Sequence, residues 1–129
     1  MKTNPPRDIK FHQKSQRLEV VFDDKTYEMT AEYLRVFSPS AEVRGHGGGP
    51  MKLITEKQHI KIQKITPVGH YAIQLTFDDG HDSGLYTWNT LRDLGDNFEA
   101  NWEHYLNRLA TEGGSRTPQT SKAPYKKVE

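Results

Sequence analysis

"LEVVFDDKTYEMTAEYLR" (residues 18–35) decides the fold, because its pattern returns later in the chain as "IQLTFDDGHDSGLYTWNTLR" (residues 73–92). Each copy has alternating apolar residues that end in Phe-Asp-Asp, then a short run, a Thr, three further residues and a Leu-Arg pair. Five residues separate the second Asp from the Thr in the first copy, and seven do so in the second. The pattern predicts that the chain builds one structural unit twice.

Each copy is predicted to form a hairpin followed by a helix. Asp79-Gly80 suits the left-handed backbone of a type I′ hairpin turn. Thr30 and Thr87 stand where a side-chain hydroxyl can cap the free N–H groups at the start of a helix. Apolar residues alternate before each acidic pair at the period of a half-buried strand; they are Leu18, Val20 and Phe22, then Ile73, Leu75 and Phe77.

Further strands are predicted at residues 8–12, 60–66 and 71–77. Gly95 is expected to end the second helix, and Asp96 with Glu99 has the spacing of a capping box for a last helix. That helix carries a continuous apolar stripe at helical spacing, made of Phe98, Trp102, Tyr105, Leu106 and Leu109. We expect the stripe to pack in the chain's own core, with a homodimer or partner surface as the alternative.

The predicted fold class is α+β, with a small, mostly antiparallel sheet built from two hairpin-plus-helix repeats. A length of 129 residues fits one domain. We predict that residues 1–112 form this domain, with a core at 7–95 and an added amphipathic helix at 97–111. Residues 113–129 combine Gly, Pro, Ser, Thr and Lys with few apolar residues, which predicts a disordered basic tail.

The composition excludes several classes of protein. The chain has no cysteine, which excludes disulfides, thiolate nucleophiles and Cys-ligated metal sites. Its mean hydropathy is −0.87, and it lacks the roughly 20 consecutive apolar residues of a membrane span. The first ten residues have no apolar core of a signal peptide. A cytoplasmic location with no membrane partner is therefore expected.

The charge is unevenly distributed along the chain. Residues 1–17 carry a net charge of +4 and residues 113–129 carry +3, whereas residues 18–112 hold nine basic and fifteen acidic groups. Most of the affinity of a nucleic-acid-binding domain comes from positive charge on its folded surface. Because the body of this chain is acidic, we expect no nucleic-acid partner.

The glycine-rich stretch "FSPSAEVRGHGGGP" (residues 37–50) lacks the companions that a catalytic glycine loop needs. A Walker loop requires Gly-Lys-Ser or Gly-Lys-Thr, and the esterase string His-Gly-Gly-Gly works with a Gly-x-Ser-x-Gly elbow that is not in this sequence. Ser38 or Ser40 could act as a nucleophile only with a base such as His46 or His81 and an orienting third group. A small enzyme with its site at this loop is therefore kept as the second alternative.

Two histidines sit in loops beside glycines, at His46 and His81. Imidazole nitrogen binds zinc and iron well. With a carboxylate from Glu42 or Asp82, the pair would make a metal site of two histidines and one acid. This metal-binding protein is the first alternative for function, with zinc or iron as the ion; otherwise no cofactor is expected.

Two stretches carry a resemblance to a known family, namely "LRVFSPSAEVRGHG" and "FDDGHDSGLYTWNTLRDL". Over about residues 5 to 95, the chain resembles the gamma-butyrobetaine hydroxylase-like N-terminal domain, which occurs as small stand-alone proteins of unknown function. The same domain heads the gamma-butyrobetaine and trimethyllysine dioxygenases, and relatives are appended to P-loop iron–sulfur carrier proteins. The oxygenase chemistry belongs to a separate C-terminal domain, so the resemblance implies no oxygenase activity here.

In those dioxygenases the resemblance implies a zinc site, with three cysteines in a Cys-x-Cys-x-x-Cys run after Leu-Arg and a histidine from an Asp-x-His loop. Leu34-Arg35 matches the lead-in and His81 matches the histidine. The cysteine positions fall on Ser38, Ser40 and Val43, which are poor zinc ligands or none. The resemblance thus implies that the family's zinc site is dismantled in this chain.

The leading hypothesis is a non-enzymatic cytoplasmic domain that acts as a protein-interaction or accessory module. The fused relatives suggest a link to iron–sulfur or metalloenzyme maturation. Its candidate interaction loop comprises Ser38, Ser40, Glu42, Arg44 and His46, because glycines let the loop backbone approach a neighbour closely.

Overall fold

The structure, a computed structural model, describes residues 4–39 and 53–117. Strands β1 (Asp8–His12), β2 (Arg17–Val21) and β3 (Thr26–Thr30) lead into helix α1 (Ala31–Val36). Strands β4 (Ile62–Val68), β5 (Ala72–Phe77) and β6 (Leu85–Thr87) lead into helix α2 (Trp88–Asp96), and helix α3 (Phe98–Glu112) follows. In this part of the chain no helix has the length and apolar character needed to cross a bilayer.

The strands form two three-stranded antiparallel sheets, in the orders β1-β2-β3 and β4-β5-β6. Leu18 on the central strand of one sheet lies opposite Phe11 and Met29. Ile73 on the central strand of the other lies opposite Pro67 and Tyr86. The predicted α+β fold with antiparallel repeats is confirmed, and each repeat gains a third strand and makes its own sheet.

Two pairs of hydrogen bonds are the same in both copies. Thr30 Oγ1 accepts a hydrogen bond from the Tyr33 N–H at 3.1 Å, and Thr87 Oγ1 accepts one from the Thr90 N–H at 3.1 Å. Both predicted helix caps are therefore present. The first residue of each helix also donates its N–H to the turn before the central strand, from Ala31 to Gln16 O at 2.9 Å and from Trp88 to Tyr71 O at 3.3 Å. We call residues 8–36 the first half and 62–96 the second half.

Ion pairs join the two halves, and each pair links a Leu-Arg motif of one half to an Asp-Asp motif of the other. Arg35 of the first half donates from Nε to the Asp79 carboxylate of the second at 2.8 Å. Arg92 of the second half binds Asp24 of the first through two parallel hydrogen bonds of 2.7 and 2.6 Å. Each arginine thus finds its counter-ion in the opposite repeat.

The main core lies between the two sheets and the first two helices. Its buried members come from both halves, so neither half closes a core alone. They include the residues predicted to face inward: Leu18, Val20, Phe22, Leu34, Ile73, Leu75, Phe77 and Leu91.

Helix α3 closes a second, smaller core. Tyr105 and Leu109 are buried against Val36, and the Tyr105 hydroxyl donates to Ile54 O at 2.6 Å. The predicted apolar stripe therefore packs within the chain, except at Leu106, whose side chain stays 40% exposed.

The local signals at Gly80 and Gly95 act differently from the prediction. Gly80 has a φ of +89°, but Asp79 has no positive φ, so the turn is not type I′. Gly95 lies inside α2 instead of ending it, and Asn97, not Asp96, stands between α2 and α3. A Cβ on Gly95 would lie 2.5 Å from the Tyr27 ring, so this glycine serves close packing, not chain termination.

Residues 113–117, the first part of the predicted tail, lie against the domain. Gly113 ends α3 with a φ of +75°, and Arg116 then binds Glu32 through two hydrogen bonds of 2.7 and 2.9 Å. Arg116 also lies over the Trp102 ring, 5.2 Å from its centroid. Arg116 is one of the basic residues on which the prediction of a solvated tail rested. It binds a buried carboxylate instead, because Glu32 is 6% exposed.

Candidate functional site

Ser38 and His81, which come from separate predicted loops, meet in the structure. Ser38 lies two residues after the end of α1, and His81 lies in the turn between β5 and β6. The Ser38 hydroxyl and His81 Nε2 are 2.9 Å apart in a hydrogen bond. Ser38 is fully buried and His81 is 7% exposed. We call this contact the Ser38–His81 clasp.

The clasp depends on a glycine on the strand side. A Cβ at Gly84 would overlap the Ser38 hydroxyl and would lie 3.2 Å from the Pro39 ring. Only a residue without a side chain lets the two segments come this close. Gly84 therefore positions Ser38 against His81.

A layer of charge lies beside the clasp. The Asp79 carboxylate accepts hydrogen bonds from Arg35 Nε at 2.8 Å, from Lys57 Nζ at 2.7 Å and from the His81 N–H at 3.0 Å. Burial of Asp79 opposes its ionisation, but these donors outweigh burial and hold the pKa of Asp79 well below its usual value. Asp79 therefore links the cations to the turn that carries His81.

Tyr86 completes the buried surroundings. Its hydroxyl donates to Leu34 O at 2.5 Å and so satisfies a carbonyl near the end of α1. Burial raises the pKa of Tyr86 well above its usual value, so the phenol stays protonated. The end of α1 is thus held from the β6 side.

The clasp has the spacing of a nucleophile and its base. However, no surface of Ser38 is accessible from outside. A substrate cannot reach a hydroxyl in that position without displacing the surrounding side chains. The observed arrangement is suited to joining α1 to the β5–β6 turn.

The remaining predicted site residues stand as follows. Asp82 is exposed, and its carbonyl oxygen accepts from Gln74 Nε2 at 2.6 Å. Over residues 4–39 and 53–117, no three His, Asp or Glu side chains are grouped closely enough to hold a metal ion. The other predicted positions lie outside the described residues, so their role stays a prediction; they are Ser40, Glu42, Val43, Arg44 and His46.

Sequence reasoning missed the roles of Arg35, Lys57 and Asp79 at this site. Two of them had a signal, because Leu-Arg and Phe-Asp-Asp are the repeated motifs themselves. A motif shared by two halves that pack together predicts a contact across their interface. Lys57 lies outside both repeats and had no such signal.

Comparison with known proteins places these residues in a wider group. A family model described as "Gamma-butyrobetaine hydroxylase-like, N-terminal" matches residues 9–92. No curated protein matches the chain.

Solved structures that share the fold include three proteins that are 37–45% identical to this chain. One solution structure is 41% identical, with a TM-score of 0.81 over 96% of this chain and 98% of its own. A second is 45% identical, with a TM-score of 0.77 over 98% of this chain and 95% of its own. The third is a crystal structure of a protein of unknown function from Acidithiobacillus ferrooxidans, of the DUF971 family, which is 37% identical with a TM-score of 0.60 over 72% of this chain and 98% of its own.

Proposed function

Because the chain belongs to the gamma-butyrobetaine hydroxylase-like N-terminal family, we propose that it is a non-enzymatic module that binds another protein in the cytoplasm. The related crystal structure is of a protein of unknown function, so the family supplies a fold and no activity. The resemblance to domains fused to iron–sulfur carriers favours a partner that matures or carries a metal cofactor.

The Ser38–His81 clasp carries the proposal. His81 matches the histidine that the resemblance assigns to zinc, and its Nε2 is engaged by the Ser38 hydroxyl at 2.9 Å. A metal-bound imidazole needs a free lone pair on its ligating nitrogen and further ligands such as thiolates, carboxylates or other imidazoles around the ion. A serine hydroxyl at the first cysteine position supports a hydrogen-bonded joint in place of an ion, which leaves a rigid scaffold for recognition.

Restoring the thiolates tests this interpretation. The variant Ser38→Cys/Ser40→Cys/Val43→Cys is expected to bind zinc at one ion per chain, because it restores the three cysteines that the resemblance combines with the histidine at position 81. The unmodified, tag-free protein is expected to bind none at stoichiometric level. Elemental analysis after dialysis measures both, and His81→Ala in the triple variant should lower the zinc content.

A stoichiometric transition metal in the unmodified protein, lost in His46→Ala/His81→Ala, would contradict the proposal and favour the metal-binding alternative. Affinity capture at native expression tests the interaction itself. We expect a stable partner that co-purifies in fixed ratio. No partner, together with turnover of a small molecule by the purified protein, would favour the enzyme alternative.

A further inference from the structure

Glu32 and Trp102 together hold the guanidinium group of Arg116. The Glu32 carboxylate accepts a hydrogen bond of 2.7 Å from Arg116 Nη2 and one of 2.9 Å from Nε. The guanidinium also lies over the Trp102 ring, 5.2 Å from its centroid. A two-point contact with a carboxylate, combined with a contact on an aromatic face, is the arrangement that a guanidinium satisfies better than any other side-chain cation. We call Glu32 and Trp102 the guanidinium seat.

Both sides of the guanidinium seat belong to helices of the domain. Glu32 lies in the first turn of α1, where its side chain is buried. The Trp102 ring on α3 packs against two other rings of the same helix, stacked on Phe98 with centroids 6.2 Å apart and tilted against Tyr105 at 5.2 Å. The folded body of the domain therefore positions the carboxylate and the aromatic face, and only the guanidinium comes from elsewhere.

The guanidinium comes from residues 113–117, which follow α3 and which we call the strap. Two backbone hydrogen bonds join the strap to the segment before β4, from the Glu56 N–H to Ser115 O at 2.8 Å and from the Gln58 N–H to Arg116 O at 3.0 Å. The Arg116 side chain stays 37% exposed, so it enters the seat from the solvent side. The strap therefore acts as an internal ligand at the surface of the domain.

The surroundings of the guanidinium seat leave room for an occupant larger than the strap. A hollow of about 300 Å³, lined by Glu32 and Arg116, opens beside the seat at the start of α1. Ser15 and His59 add an exposed hydroxyl and an exposed imidazole to its wall. The family match ends at residue 92, so the carboxylate lies in the family domain, whereas the arginine that fills the seat lies in the residues that follow it.

We propose that the guanidinium seat binds an arginine side chain of a partner protein, and that the strap competes with the partner for the seat. The inference rests on the proposed interaction function and names the partner's chemistry. The ligand class follows from the group already seated there, since a lysine ammonium would make only part of the same contacts. A buried carboxylate left without its partner destabilises the fold, so the partner's guanidinium has to replace that of Arg116 directly.

The test uses Arg116→Ala in the ¹⁵N-labelled full chain, which removes the guanidinium from the seat. The probes are N-acetylarginine amide, N-acetyllysine amide and N-acetylcitrulline amide, the last being an uncharged analogue of arginine with nearly the same shape. We expect the arginine probe to shift the Trp102 indole N–H signal saturably and to bind at least about tenfold more tightly than either control. The unmodified protein should bind the arginine probe about tenfold more weakly than Arg116→Ala, or weaker still, because the strap occupies most of the seats.

Arg108→Ala, which removes an ion pair with Glu112 on the same helix, is the matched control and should bind the arginine probe as the unmodified protein does. If circular dichroism shows that Arg116→Ala is unfolded, Arg116→Lys takes its place. It keeps a charge beside Glu32 but loses the two-point contact, so the arginine probe should still bind it more tightly than the unmodified protein.

Three results would overturn the proposal. The first is equal binding of the three probes, or no saturable shift, in a folded variant at position 116. The second is equal binding of the arginine probe by that variant and by the unmodified protein. The third is a dimer of the unmodified protein that Arg116→Ala abolishes in sedimentation experiments, which would assign the seat to the strap of a second copy.

Affinity capture at native expression separates this inference from the proposed function. Arg116→Ala should capture more of the partner than the unmodified protein does, and adding Glu32→Gln should remove that gain. Equal capture by all three proteins would leave the interaction function standing and overturn the seat as its site. If no protein is captured at all, the interaction function and the proposal both fail, and arginine-selective probe binding would then be a property of the seat alone.

Discussion

At the scale of single residues, the fold depends on two close approaches in which a glycine faces a larger side chain. Gly84 faces Ser38 in one, and Gly95 faces Tyr27 in the other. Counted from the capping threonines, Ser38 and Gly95 occupy equivalent positions, as do Tyr27 and Gly84. The halves therefore share the contact but place the glycine on opposite sides of it. The larger side chain makes a hydrogen bond in both cases, Ser38 with His81 and Tyr27 with Asp96.

Removing the Ser38 hydroxyl is expected to destabilise the protein. Ser38→Ala leaves the buried His81 Nε2 without its Ser38 partner, which should lower the free energy of unfolding by about 1–3 kcal/mol. Urea unfolding followed by circular dichroism measures it. Ser15→Ala, at an exposed serine, should change stability by less than about 0.5 kcal/mol. Equal small effects from both variants would show that the clasp adds nothing to stability.

Acid should weaken the fold through Asp79. Because the folded pKa of Asp79 is lowered, its contribution to stability is present above the unfolded pKa of about 3.9 and is lost as pH falls below it. Asp79→Asn should therefore flatten the loss of stability between about pH 5 and pH 2. Urea unfolding of both proteins across this range measures the slopes, and parallel profiles would contradict the assignment.

At the scale of elements, the sequence predicts what depends on neighbouring residues along the chain. The alternating strands and both threonine caps are local patterns, and they formed as expected. The type I′ turn and the helix end at Gly95 were wrong, because distant groups decide there. Asp79 forms hydrogen bonds with Arg35 and Lys57, and the Tyr27 ring packs so close to Gly95 that a side chain there would not fit. Neither contact can be predicted from residues that are neighbours in sequence.

The site was predictable to a similar extent. Through the resemblance, the Leu-Arg and Asp-x-His motifs assign Ser38 and His81 to positions of one family zinc site, but the sequence leaves open whether their two loops meet. Neither motif indicates that the pair is bonded and buried, because burial depends on Gly84 and Tyr86 packing from β6.

In helix α2, a glycine-to-alanine substitution is expected to change the free energy of unfolding in the direction opposite to the usual one. Replacing a glycine inside a helix by alanine normally stabilises it by about 0.5–1 kcal/mol. Gly95→Ala should instead lower the free energy of unfolding by about 1–3 kcal/mol, because the new Cβ overlaps the buried side of Tyr27. Thermal and urea unfolding measure it.

The control for this effect is Ala110→Gly on the exposed face of α3. It should lose only the ordinary helix preference, about 0.5–1 kcal/mol. A gain in stability from Gly95→Ala would mean that Tyr27 moves aside freely and that the close approach is unimportant.

At the scale of the whole molecule, the residues after α3 bind to α1, which is distant in sequence. Arg116 joins residues after α3 to Glu32 on α1 and covers the Trp102 ring. The segment from 113 to 117 therefore belongs to the folded body. Its contribution comes from the buried carboxylate of Glu32, whose ion pair within residues 4–39 and 53–117 is with Arg116.

Arg116→Ala should lower the free energy of unfolding by about 2 kcal/mol. This is less than the 3–5 kcal/mol of a fully buried pair, because 37% of the Arg116 side chain is exposed and solvent screens it. Arg108→Ala removes a pair with Glu112 within α3 and should cost no more than about 0.5 kcal/mol. Both values come from urea unfolding at moderate salt, and equal losses would contradict the importance of the Glu32 contact.

The reciprocal bonding of Arg35 to Asp79 and of Arg92 to Asp24 makes each repeat the ionic complement of the other. Two molecules that traded repeats would keep all of these bonds and both cores. Domain swapping is thus an assembly route that this architecture permits without any new contact. If the chain is cleaved between the repeats, the two fragments should likewise associate and re-form the fold. Either fragment alone would expose apolar surface and an arginine without the aspartate of the other repeat.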